Sequence, residues 1–186
     1  QILWKSIAEL ILKHYPNEFT QSSGNGHNKD DSTVLINPDP AKFKDPLNPV
    51  ESISLYDAKV WLSGLNKLSK DPNKEVQEKL KKIILGHKLG DEYRLPLAKE
   101  YEFVARNFGR GDFSVWAMGN NFDEVADYAI FVSNSHAQPQ PVGTTKKLFT
   151  IDEMTFTDFI GNVWIWCGDT DAYPKFSLRG GGYTSG

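Results

Sequence analysis

The side chains best suited to nucleophilic, metal-ion or acid–base chemistry are few in this chain: one cysteine, Cys167, four histidines, His14, His27, His87 and His136, and the carboxylate cluster Asp123, Glu124 and Asp127. One cysteine excludes an internal disulfide framework and any zinc site needing two or more thiolates. Cys167 lies in the apolar run WIWC and reads as a small core residue. The histidines fall in four separate segments with no shared helical face, so they read as solvated side chains rather than a metal set. Asp123 and Asp127 stand four residues apart with no apolar pocket to shift a pKa, which is the pattern of a solvated helix face. Arg110, Gly111 and Asp112 form a tripeptide that some adhesion receptors read, and the expected state is a loop after a helix. Gly180, Gly181 and Gly182 follow no strand-borne phosphate motif and suggest close backbone approach.

These residues must be positioned by elements that the apolar spacing marks out. Leu3, Trp4, Ile7, Ala8, Ile11 and Leu12 form the wide stripe of an amphipathic helix. Residues 17–48 are rich in Gly, Asn, Asp and Pro and read as a long surface loop, with a short strand at 33–36. Ser54 and Asp57 have the spacing of a capping box, and Ala58, Trp61, Leu62, Leu65 and Leu68 continue it as one helical face. A charged helix over 71–86, stopped by Gly86, belongs to a helical insertion at 71–90. Pro96 opens a further helix in its first turn, with Tyr101, Val104, Ala105 and Phe108 as its buried stripe. After Gly109 the texture becomes short aromatic and β-branched runs, and 128–132 and 162–166 read as strands between irregular connections. The expected fold class is α+β in a single domain, 1–186, with helices first and a small antiparallel sheet after.

Composition narrows the functional classes. Lys+Arg number 21 against Asp+Glu 24, for a net charge of -3, which gives no basic field for nucleic acid. No apolar run reaches the roughly 20 residues of a transmembrane helix. The compartment stays open on cysteine usage. Five Trp, seven Tyr and eleven Phe supply both core and contact surface.

Five blocks in order resemble the formylglycine-generating enzyme, or sulfatase-modifying factor, family. They are the opening QILW; Asn48 to Glu51 running to Ser54–Ala58; Tyr93-Arg94-Leu95-Pro96 with Glu100–Arg106; Pro141-Val142-Gly143 with Asp158 and Gly161–Trp166; and Arg179-Gly180-Gly181-Gly182-Tyr183. The resemblance implies a C-type-lectin-like α+β fold of helices packed on small antiparallel sheets with long irregular loops. Against that family's pattern the N-terminal strand and the C-terminal closing strands are not in the chain.

The oxidase of this family resembles a copper enzyme using a cysteine pair, and Cu(I) favours thiolates. Counted from Arg179, the first of those cysteines falls at Ser185. The family's calcium ligands would fall on Asn162, kept here, and on a Glu and an Asn replaced by Ile165 and Ile130. Asn162 then reads as a turn residue that bonds backbone. The chain is also similar to non-catalytic members, the variable proteins of diversity-generating retroelements, including a spirochaete surface lipoprotein type. Carried over residue by residue, their display positions fall on Gly182, Tyr183, Thr184 and Ser185. The expectation is thus a non-catalytic ligand-binding or display protein with no cofactor and no metal, a monomer that binds a protein or other macromolecular ligand at that patch and not nucleic acid. It would be extracellular or at the cell surface, lipid-anchored through a segment outside this chain. The alternatives are a copper oxidase acting on a protein cysteine and a structural assembly module. Trp116 and Trp164 are expected in the core, with one bordering the binding face as a secondary option.

Overall fold

The N-terminal stripe forms helix α1, Ile2–His14, which buries Trp4, Ile7, Ala8, Leu10 and Ile11. The structure is a computed structural model and describes residues 1–23, 27–29, 32–106, 108, 119–168 and 177–186. It divides into two units, Gln1–Pro46 with Val50–Arg94, and Leu47–Pro49 with Leu95–Gly186.

In the first unit α1 packs with α2, Leu55–Lys70, and α3, Lys74–Ile83. Their shared core is Ile7, Ile11, Leu65, Leu68, Val76 and Leu80, joined by Phe19 and Ile36. Gly64 is what lets α1 and α2 approach, because a Cβ there would lie 2.5 Å from Ile11 Cδ1. Trp4 stacks on Trp61 at 5.1 Å, and each indole N–H donates to a backbone carbonyl. The expected capping box is present: Ser54 Oγ accepts from the Asp57 N–H at 3.1 Å, and Asp57 Oδ2 accepts from the Ser54 N–H at 2.7 Å.

The 17–48 excursion is tied down where it is described. Strands β1, Thr20–Gln21, and β2, Leu35–Ile36, pair in parallel. Asn28 is buried and completes this ladder with its side chain: its amide donates to Leu35 O at 2.7 Å and its Oδ1 accepts the Leu35 N–H at 2.9 Å. Asp57 accepts from the Asn28 N–H and from Nδ2, each at 2.8 Å, and His27 Nδ1 lies 2.7 Å from its other oxygen.

One histidine departs from the expected solvation. His87 is buried, with Nε2 3.1 Å from Gln77 Oε1 and Nδ1 2.6 Å from the Tyr93 hydroxyl. Gln77 spends its amide protons on the carbonyls of Leu68, Ser69 and Asp71, so its oxygen is the group left to accept. His87 thus donates from Nε2 to Gln77. The signal missed is that Gln77 donates to the last carbonyls of α2, which helix ends require, and so leaves its oxygen for His87.

The second unit is built on α4, Ala98–Ala105, two antiparallel pairs and irregular backbone. Pro96 precedes the cap residue Leu97 instead of lying in the first turn. Tyr101, Val104, Ala105 and Phe108 are half-buried, not buried. Strands β3, Phe149–Ile151, and β4, Met154–Phe156, form a hairpin that the sequence reading did not anticipate. Strands β5, Ile165–Cys167, and β6, Ser177–Arg179, pair with Ile165 opposite Arg179. The expected strand at 128–132 is absent. Helix α5, Val125–Tyr128, runs into it, and Ile130 makes only an isolated bridge to Gly161. The Asn134 side chain occupies the backbone groups a partner strand would use, accepting from the Phe131 N–H and donating to Ala129 O. The architecture is α+β.

Candidate functional site

The four residues expected at the display patch lie on the turn after β6. Arg179 anchors that strand, its Nε and Nη2 donating to Glu102 Oε1 at 3.1 and 3.0 Å. Tyr101, from the same helix as Glu102, donates its hydroxyl to Phe159 O at 2.6 Å and stacks on the Phe159 ring at 4.4 Å. Burial pushes the Tyr101 hydroxyl up to about 12, so it stays protonated and a donor. Beyond Arg179 the chain folds back on itself: the Ser185 N–H donates to Gly182 O at 2.9 Å, and the Gly182 N–H donates to Ser185 Oγ at 3.0 Å.

This turn is fixed to two neighbouring segments almost wholly through backbone. The Tyr183 N–H donates to Asn162 O at 2.7 Å and the Val132 N–H to Ser185 O at 3.0 Å. Ser135 Oγ donates to Tyr183 O at 2.8 Å. The Gly161 N–H donates to Gly180 O at 2.7 Å. Gly161 has φ +77, and a Cβ there would come within 2.3 Å of Ile130 O, so this approach requires glycine.

Asn162 is the hub. It is fully buried at φ +60. Its amide donates to Gln140 O at 2.9 Å and Asp158 Oδ1 at 2.8 Å, and its Oδ1 accepts the Gln140 N–H at 3.0 Å. Asp158 in turn accepts the Gly143 N–H at 2.8 Å. The turn-residue reading of Asn162 therefore holds. The side chain is consumed by protein groups and does not fit the role of a calcium ligand.

Exposure sorts the expected patch. Gly182 is buried, with a Cβ position 3.1 Å from Trp164 Cδ1; Tyr183 and Ser185 are half-buried; Thr184 is exposed. Trp164 corrects an expectation, since it is 50% exposed instead of core. Val132, bonded to Ser185 through its N–H, is likewise exposed. Trp116 and the tripeptide Arg110–Asp112 lie outside the described residues.

The signal that could have located Trp164 and Val132 is charge. Residues 128–143, 159–168 and 180–186 contain no Asp, Glu, Lys or Arg, in a chain 24% charged. These are the segments the hydrogen bonds join. Interface centres are depleted of charge and enriched in Tyr and Trp.

The remaining candidates are not brought together. Cys167 is fully buried, its Sγ 3.9 Å from the carbonyl of Ile165 in its own strand. Asp127 pairs with Lys146 and Lys147 at 3.1 and 3.3 Å, which hold its carboxyl below the ordinary value, and Glu124 is exposed beside Lys147. That is a solvated charged face. Asp123 is exposed. Among the described residues no three His, Cys, Asp or Glu side chains cluster to hold a metal ion. At position 185 the donor offered to Cu(I) is a hydroxyl that closes its own turn, and the chain's one thiol, Cys167, is fully buried.

Comparison with known proteins places this geometry. The family described as "Sulfatase-modifying factor enzyme 1-like domain" matches residues 17–185. The chain is 26% identical over 184 residues to a protein of Paenibacillus barcinonensis named "Chaperone protein LppX", covering 81% of this chain and 64% of that relative. It thus spans just under two thirds of the relative's length. A solved structure, Treponema denticola variable protein 1, is 28% identical, with a TM-score of 0.41, covering 50% of this chain and 37% of the other.

Proposed function

The chain belongs to the sulfatase-modifying factor enzyme 1-like family, and from that premise we propose that it is a non-catalytic member that binds a protein or other macromolecular ligand through the turn Gly182–Ser185 and its neighbours Trp164 and Val132. The observation that carries this reading is the state of Ser185, whose Oγ accepts the Gly182 N–H. At the position where the family's oxidase needs a thiolate, this chain has a group that closes a turn. Around that turn the surface has the composition of a contact site: a half-exposed indole, an exposed valine, and the side chains of Tyr183 and Thr184 on a backbone fixed by hydrogen bonds. Because backbone groups supply most of those bonds, side chains at 183 and 184 can change without loosening the turn, which is what a display surface requires. A relative named as a chaperone protein fits a protein-binding role better than an oxidase one. No helix among the described residues is long and apolar enough to cross a membrane.

Copper decides between this reading and the oxidase. Titration of Cu(I) against a chromophoric chelator, without oxygen, is expected to give no stoichiometric tight binding by this chain. Tight one-to-one binding would overturn the proposal.

A further inference from the structure

A second surface lies in the other unit. Residues 79–90, KLKKIILGHKLG, hold four lysines and no Asp or Glu, within a chain of net charge -3. They form the end of α3 and the turn after it. Leu85 is 102% exposed and Leu89 59%. A Cβ placed on Gly86 or Gly90 would meet nothing within 4 Å, so this turn stands clear of its surroundings. It is nevertheless fixed: His87 between them is buried on Gln77 and Tyr93, the Gly90 N–H donates to Ser69 O at 2.9 Å, and Ser69 Oγ donates to Asp91 O at 2.7 Å. Lys79 pairs with Glu75 and Lys81 with Glu78, whereas Lys82 and Lys88 have no ion-pair partner among the described residues. The one acidic group in the turn's hydrogen bonds, Asp91, accepts the Lys88 N–H at 2.8 Å.

A single exposed leucine is ordinary, but two on one rigid, projecting turn, preceded and interrupted by lysines, make a shaped surface. We propose that this turn is a contact site for an anionic lipid bilayer, with Leu85 and Leu89 entering the boundary between head groups and acyl chains and Lys81, Lys82 and Lys88 meeting the anionic head groups. Charge selects a negative partner, and the apolar tip selects one that has hydrocarbon just beneath the charge. A projecting tip suits a fluid surface that closes around it; a protein partner would need a groove cut for two leucines and rimmed by acids. The site is independent of the ligand patch in the second unit.

Flotation of the whole chain with vesicles tests this. Vesicles containing about a third phosphatidylglycerol in phosphatidylcholine should carry the protein, pure phosphatidylcholine vesicles should carry far less, and raised salt should release it. Replacing both leucines, Leu85→Ser and Leu89→Ser, should weaken binding by roughly tenfold or more, and Lys82→Gln or Lys88→Gln by about fivefold each. All four side chains are exposed, and an unchanged far-ultraviolet circular dichroism spectrum shows that the variants keep the fold. Equal flotation of the parent and the double-leucine variant would overturn the proposal. So would failure to bind anionic vesicles, or a parent chain that dimerises through these leucines in solution.

Discussion

At the scale of single residues, Asn162 does more for the turn after β6 than any residue exposed on it. All three of its side-chain hydrogen bonds go to Gln140 and Asp158, and its own carbonyl receives Tyr183. Replacing it by alanine removes two donors and an acceptor at a fully buried position and strands their partners, while φ +60 strains the new residue. Asn162→Ala should therefore cost about 3 kcal/mol, read as a shift of the urea midpoint. Thr184→Ala, at an exposed position, should leave that midpoint in place. The strand expected from 162 begins at Ile165, and Asn162 was legible as a turn residue only through the replacement of the family's other calcium ligands by Ile165 and Ile130. Trp164 was not, since an aromatic residue in a β-rich run usually faces a core; it is half-exposed because Gly182 lies against one edge of its ring and offers no side chain to cover the rest. His87 misled in the opposite direction, because its partners Gln77 and Tyr93 are ten and six residues away in the chain, one on α3 and one on the connection before α4.

The elements were legible where local chemistry decides them. Ser54 and Asp57 announce the start of α2 with their own side chains, and the 3–4 spacing of α1 leaves one face to bury. Strands were less so. Residues 128–132 have the composition of a strand, yet Asn134 takes their backbone groups. The β3–β4 hairpin turns on Asp152 at φ +51, without the glycine that usually marks such a turn.

The long loop over 17–48 and α2 meet at Asp57, and this junction has a pH dependence. Burial alone would raise the Asp57 carboxyl, but bonds from the Asn28 and Ser54 N–H groups and from His27 hold it below the ordinary 3.8. A carboxylate depressed in the folded state contributes stability that is fully present above its unfolded value and is lost as pH falls through the folded one. Stability measured by urea unfolding should thus decline as pH drops below about 4, and Asp57→Asn should flatten that decline while lowering stability at neutral pH.

For the whole molecule, the family was readable from five ordered blocks because each is a local fitting problem: a cap, a helix face, a glycine forced by a neighbouring carbonyl. The proposed ligand surface was readable only in part. Positions 182–185 could be counted from Arg179, whereas Val132 joins them through a bond between residues 53 positions apart in the chain, Val132 N–H to Ser185 O. The same uncharged surface is what the account rests on. On the proposed function, backbone hydrogen bonds fix the turn while residues 183 and 184 vary to suit a ligand. The most direct test is to sequence the encoding locus in many independent isolates of the source population. Codon variation is expected to concentrate at 183 and 184, with Gly161, Asn162, Gly182 and Ser185 unchanged. Codons 183 and 184 as constant as those of Gly161 and Asn162 would contradict that reading.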